Sequence, residues 1–140
     1  MDDCIFCKVI AGQIPAAVVY RDETVIAFMS LQQLNHGHTL VVPIQHVRNI
    51  YDLPGELAGP LLSTAARIAR AIKQEFKPDG MWLSQFSEPA AGQGVFHLHL
   101  HVIPRYFSDS LLKGFELPNP SDMATLEALA ERVRAGLAGA

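Results

Sequence analysis

From Phe96 to Ile103, apolar residues and histidines alternate: Phe96-His97-Leu98-His99-Leu100-His101-Val102-Ile103. A period of two is the pattern of a strand with one face buried. At about 3.3 Å of rise per residue, alternate side chains stand about 6.6 Å apart on one face. The spacing predicts a row of imidazoles, His97, His99 and His101, with Leu98, Leu100 and Val102 turned to the core. Pro104 lacks a ladder donor and is expected to end the strand or set it at an edge.

The rest of the pattern predicts the elements around that strand. Residues 4–12 read as a short helix closed by Gly12. Val18–Arg21 and residues 24–28 read as two strands joined through Asp22-Glu23, a hairpin. Residues 31–37 are polar and read as a loop, and residues 38–43 as a central strand stopped by Pro43. His46 falls just beyond it. From Gly55 to Phe76 the apolar positions Leu57, Leu61, Leu62, Ala65, Ile68, Ala69, Ile72 and Phe76 keep helical spacing, with the first turn blurred by Gly59-Pro60. Residues 81–86 read as the fourth strand and residues 108–120 as irregular. Ser121 is the expected N-cap of a last helix carrying Leu126, Leu129, Val133 and Leu137 on one stripe. This order predicts an α+β fold, an antiparallel meander of five strands with its main helix on one face. Nothing in the pattern divides the chain, so one domain is expected over 1–140, its core about 4–106 and an extension with a helix about 107–140.

Composition narrows the function. The net charge is −3, from 11 basic and 14 acidic residues, which gives no basic field for nucleic acid. Met1-Asp2-Asp3 does not open a secretory signal and no apolar run approaches a membrane span, so a cytoplasmic protein with no membrane partner is expected. In that setting Cys4-Ile5-Phe6-Cys7 points to metal or redox chemistry rather than a disulfide framework. A thioredoxin-like motif would follow a strand and open a long helix, whereas Cys4 lies almost at the chain start.

With these residues assembled, the chain resembles the histidine triad (HIT) family, in its bacterial Hint-like branch. The resemblance runs from Cys4 to about Tyr106. It rests on Cys-Ile-Phe-Cys-Lys, Ile14-Pro15-Ala16, Gly37-His38-Thr39-Leu40-Val41-Val42-Pro43, His46, Gly92-Gln93 and the triad itself. It implies a HIT-like fold of five antiparallel strands, a main packed helix, a short N-terminal helix and a C-terminal helix, assembled as a homodimer. It also implies a purine nucleotide substrate, hydrolysed or transferred at its α-phosphate. His99 would be the nucleophile, which suits an imidazole with an ordinary pKa of about 6.5. Its other ring nitrogen is expected to donate to a backbone carbonyl. His101 would donate to the phosphoryl oxygens, and His38 would reach the same site. The Gly92-Gln93-Gly94 turn and Val95 would offer backbone N–H groups. Cys4, Cys7, His46 and His97 match the family's structural zinc set, two thiolates and two imidazoles in tetrahedral array. Ile5, Phe6, Val9, Ile14, Phe28 and Leu31 match the purine slot.

Three positions depart from the family's pattern. Ser30 stands where relatives carry an Asp that holds the ribose hydroxyls, and Phe86 near an Asn on the phosphate side. Gly94 replaces the Ser or Thr that helps protonate the leaving group. A nucleotide-binding or interaction module with little turnover is therefore the alternative. A catalytic zinc held by His97, His99 and His101 is a further one, which would leave the cysteines and His46 without a purpose.

Overall fold

The computed structural model describes residues 3–139. The outermost positions of the domain expected over 1–140 lie outside the described residues. The helical stretch at the start is α1, Ile5–Ile10. Strands β1, Val18–Arg21, and β2, Val25–Met29, form the expected hairpin. Its turn is fixed by Asp22, whose carboxylate accepts from the backbone N–H of Thr24 (2.7 Å) and Val25 (2.8 Å). Strand β3, Thr39–Pro43, pairs with β2 so that Leu40 faces Phe28.

Helix α2, Gly55–Phe76, has the predicted length and runs through Pro60. It ends on Lys77 in the left-handed conformation (φ 51°), whose N–H returns to the carbonyl of Lys73. Its apolar stripe, Leu57, Leu61, Ala65, Ile68 and Ile72, packs on Val25, Ala27, Val41, Leu98 and Val102. On the other face of the sheet, Phe6 of α1 packs with Ile26, Phe28, Leu40 and Val42. Covered on both faces, β3 is buried along its whole length.

Strands β4, Gly80–Ser84, and β5, Leu100–Arg105, complete an antiparallel sheet of order β1-β2-β3-β5-β4. The five antiparallel strands are as expected, but the meander is not. The chain leaves α2 for the outer edge and β5 returns between β3 and β4. Val102 and Ile103 of β5 are fully buried, whereas no residue of β4 is, so the more apolar strand takes the inner position. Pro104 does not end β5. Thr39, the first residue of β3, faces Val102, so Pro104 lies past that ladder, where a missing N–H costs no bond.

Helix α3, Met123–Ala138, is capped by Asp122 rather than Ser121, the Asp122 carboxylate accepting from Thr125 N–H at 2.8 Å. Leu126, Leu129, Val133 and Leu137 remain exposed. Among the described residues no helix is long and apolar enough to cross a membrane.

Candidate active site and metal centre

The three imidazoles lie on the face that α1 covers, with Leu98, Leu100 and Val102 in the core as expected, but they serve two centres. Residues 95–99 precede β5 and bend instead of joining the ladder. Leu98 N–H bonds to the carbonyl of Val47, in the loop after β3, at 2.6 Å. His97 is thereby turned inward and is 0% exposed.

There it meets the cysteines. Cys4 Sγ lies 3.3 Å from His97 Nδ1, Cys7 Sγ 3.3 Å from His46 Nδ1 and 3.6 Å from His97 Nδ1. The four ligating atoms all fall within 4.8 Å of one another. A zinc tetrahedron with bonds of about 2.3 Å to sulfur and about 2.0 Å to nitrogen has sulfur–nitrogen edges of about 3.5 Å, so these spacings fit the ion. His97 Nε2 donates to the carbonyl of Pro43 at 2.8 Å. That bond fixes the tautomer and leaves Nδ1 with the lone pair a metal needs. Burial lowers the His97 pKa to about 4 and raises that of the Cys7 thiol to about 11. The imidazole is already in its ligating form; the thiol must release a proton on binding. With His97 committed here, a three-histidine centre of His97, His99 and His101 does not form.

His99 and His101 face a second centre. The Nδ1–H of His99 donates to the carbonyl of His97 at 2.7 Å, the bond expected from the sequence. Nε2 keeps its lone pair. The His99 ring stands 4.8 Å from that of His101 and 5.0 Å, edge to face, from that of Phe6. His38 completes the group. Leu34 N–H donates to His38 Nδ1 at 3.3 Å, which places the His38 proton on Nε2. That nitrogen lies 3.0 Å from His101 Nδ1 and donates to it, so neutral His101 carries its own proton on Nε2. One backbone N–H thus sets two tautomers in series. Burial lowers the pKa of all three histidines, that of His101 to about 4. At neutral pH the centre holds an unprotonated nitrogen on His99 beside an N–H donor on His101.

In the turn before the triad, two of the backbone N–H groups expected to meet an anion are already bonded within the loop. Gly92 N–H bonds to Pro89 and Gln93 N–H to Glu88, so neither is free for an anion. The Gln93 side chain is buried, accepting from Glu88 N–H (2.8 Å) and donating to the carbonyls of Arg48 (2.8 Å) and Val95 (3.1 Å). It shapes the loop and has no donor left for a substrate. Glu88 sits at φ 78°, a conformation that favours glycine, with its carboxylate held by buried Asn49 at 2.9 Å. Gly94 is open, and a Cβ built there meets nothing within 4 Å. Val95 packs against the Phe6 and Phe28 cluster.

The residues matched to the purine slot are unevenly placed. Phe6 and Phe28 are in contact, with ring centroids 5.2 Å apart, and only 8% and 4% exposed. Val9 packs in the same cluster, Ile14 is half-buried, Ile5 is exposed, and Leu31, at 98%, projects into solvent. Ser30 Oγ donates to the carbonyl of Gln32 at 3.0 Å.

Two side chains that sequence reasoning passed over hold the His38 loop. Gln33 bridges the carbonyls of Ser30 (2.6 Å) and His38 (2.7 Å) and accepts from Gly37 N–H. Asn35 ties the loop to the Pro104 carbonyl (2.8 Å) and to Asp109 (2.9 Å). Asp109 also forks onto Arg105, and these bonds hold its carboxyl far below the usual range. Amides in a polar stretch were the only signal available.

The chain is similar to known proteins in both sequence and fold. The HIT domain family matches residues 11–108. The protein named Hit from Bacillus subtilis is 50% identical over 105 residues, covering 75% of this chain and 72% of that protein. The crystal structure of SMU.412c from Streptococcus mutans superposes with a TM-score of 0.91 at 40% identity, covering 98% of this chain and 87% of that one. A zinc-bound histidine triad family protein from Mycobacterium smegmatis superposes with a TM-score of 0.73 at 31% identity, covering 99% and 97%. On this family match, and on the fold and triad that accompany it, the chain belongs to the histidine triad (HIT) family.

Proposed function

We propose that this protein is a nucleotide hydrolase or transferase. It acts at the α-phosphate of purine nucleoside phosphoramidates or dinucleoside polyphosphates through a nucleotidyl intermediate on His99. Nucleotide binding and hydrolase activity are found in the family. The observation that carries the reading is the His99 Nδ1–H bond to the His97 carbonyl, which leaves Nε2 as a neutral nucleophile of fixed direction. In the proposed step the Nε2–phosphorus bond forms as the bond from phosphorus to the leaving group breaks. The positive charge that develops on the ring is met at Nδ1–H by the carbonyl, the part an orienting acceptor plays in a triad. His101 Nε2–H donates to a phosphoryl oxygen. Water then attacks phosphorus and restores free His99.

Cys4, Cys7, His46 and His97 would hold a structural zinc. Bound there, the ion would tie α1 to the segment that positions His99, and it takes no part in the chemistry. Phe6, whose ring edge meets His99, would border the base, with Phe28 behind it. A homodimer belongs to the same reading, supported by the apolar stripe of α3 that the single chain leaves exposed. Wild type and His99→Ala, offered a panel of phosphoramidates and dinucleoside polyphosphates, test the reading: turnover by the first and none by the second is expected. A binding module with little turnover is favoured by one observation, the engagement of Ser30 Oγ within its own loop. Tight binding of those nucleotides without product would decide for it.

A further inference from the structure

A structural zinc uses the metal-binding half of what two cysteines at this spacing can do, and leaves the redox half open. Cys4 is the N-cap of α1, and the N–H of Cys7 in the first turn donates to Cys4 Sγ at 3.3 Å. All four ligating atoms lie within 4.8 Å of one another, so the two sulfurs are neighbours. Side chains three apart across a helical turn share a face, the placement from which Cys-x-x-Cys pairs close a disulfide. Both thiols are free and partly exposed, whereas His97 is buried, so a small oxidant reaches the sulfurs from solvent. Phe6 stands between the two cysteines in sequence and is the one buried residue of α1. Its ring meets those of Phe28 and His99 edge to face, at 5.2 Å and 5.0 Å. Six residues make a helix too short to hold its own position. A change at the sulfurs is therefore passed to a ring that touches His99.

We propose that Cys4 and Cys7 are an oxidation site, a reversible dithiol switch that takes a peroxide, releases the zinc and withdraws Phe6 from the nucleotide site. The disulfide rests on the sulfur geometry; its effect on nucleotide binding rests on the proposed function. In the first step one thiolate sulfur attacks a peroxide oxygen. The oxygen–oxygen bond breaks, hydroxide leaves, and a sulfenic acid remains. The second thiolate then attacks the sulfur of that acid. The sulfur–sulfur bond forms, the sulfur–oxygen bond breaks, and a second hydroxide leaves. Hydrogen peroxide thus takes two electrons from the pair, and two protons from solvent turn both hydroxides into water. Neither sulfur keeps the thiolate charge that zinc ligation needs, so the ion is released from the two remaining imidazoles. At a bond length of about 2 Å the sulfurs are drawn to each other and away from His46 and His97. The short helix then loses its ties to the segments that carry those histidines. A dithiol reductant returns the two electrons and restores the ligand set.

The test is a titration of the zinc-loaded wild-type protein with hydrogen peroxide. A chromophoric chelator should take up the zinc while the chain loses the mass of two hydrogens, and digestion should find Cys4 joined to Cys7. Affinity for AMP, measured by calorimetry, should fall about 10-fold, the worth of one aromatic contact. Dithiothreitol followed by zinc should restore both the metal and the affinity. Zinc retained in a large excess of peroxide would overturn the switch. So would sulfinic acid formed without any disulfide, or an AMP affinity unchanged once the disulfide is complete; each leaves the His99 reading standing. Reduced protein that binds neither AMP nor GMP would overturn the nucleotide reading and, with it, the effect of the switch on that site. The same titration then still decides, from zinc release and mass, whether the dithiol is an oxidation site.

Discussion

The neutrality of the histidines has a consequence that can be measured residue by residue. Burial holds His101 at about pH 4, whereas an unfolded histidine titrates near pH 6.5. Between those values the unfolded chain binds more protons than the folded one, so stability must fall as pH drops through the window. His38, also lowered by burial, acts in the same direction. Urea unfolding between pH 7.5 and 5 should show this loss, and His101→Gln should flatten it; an unchanged slope in the variant would contradict the assignment. A second residue-scale expectation concerns Gly37. It combines φ 108° with packing in which an added Cβ meets Pro104 at 3.3 Å and Phe76 at 3.4 Å. Gly37→Ala should cost about 1–3 kcal/mol in denaturant unfolding and loosen the His38 loop.

At the scale of elements, α1 is short, with Phe6 its one buried residue. A helix of six residues has little stability of its own. On the proposed reading, zinc supplies what packing does not, through Cys4 and Cys7 on α1 and His46 and His97 from elsewhere. Cys4→Ser should lose about one zinc per chain, by metal analysis, and several kcal/mol of stability. Zinc-free wild-type protein of unchanged stability would count against it. The elements also show what the sequence made legible. Helix α2 could be read to the residue because its stripe repeats over 22 positions. The His-apolar alternation located the functional stretch and its two faces, but its first half is not strand. Alternation reports a preference for two faces and says nothing of whether a neighbouring strand is there to pair with. Residues 95–99 keep the pattern while the backbone bends toward β3's following loop. The roles of Gln33, Asn35, Glu88 and Gln93 depend on contacts that no local period records.

For the whole molecule, β4 is an edge strand, and α3 carries an apolar stripe with no residue buried. Such surfaces are unfavourable in an isolated chain. Sedimentation at micromolar concentration should find a homodimer, and Leu129→Glu with Val133→Glu should weaken it. A monomer in the unmodified protein would contradict the proposal. Wild-type protein, quenched during turnover of a purine nucleoside phosphoramidate and digested, should carry a nucleoside monophosphate on His99 when mapped by mass. The His99→Ala protein, folded and with its zinc, should carry none and turn over nothing. An adduct on another residue, or equal turnover by His99→Ala, would show that His99 is not the nucleophile.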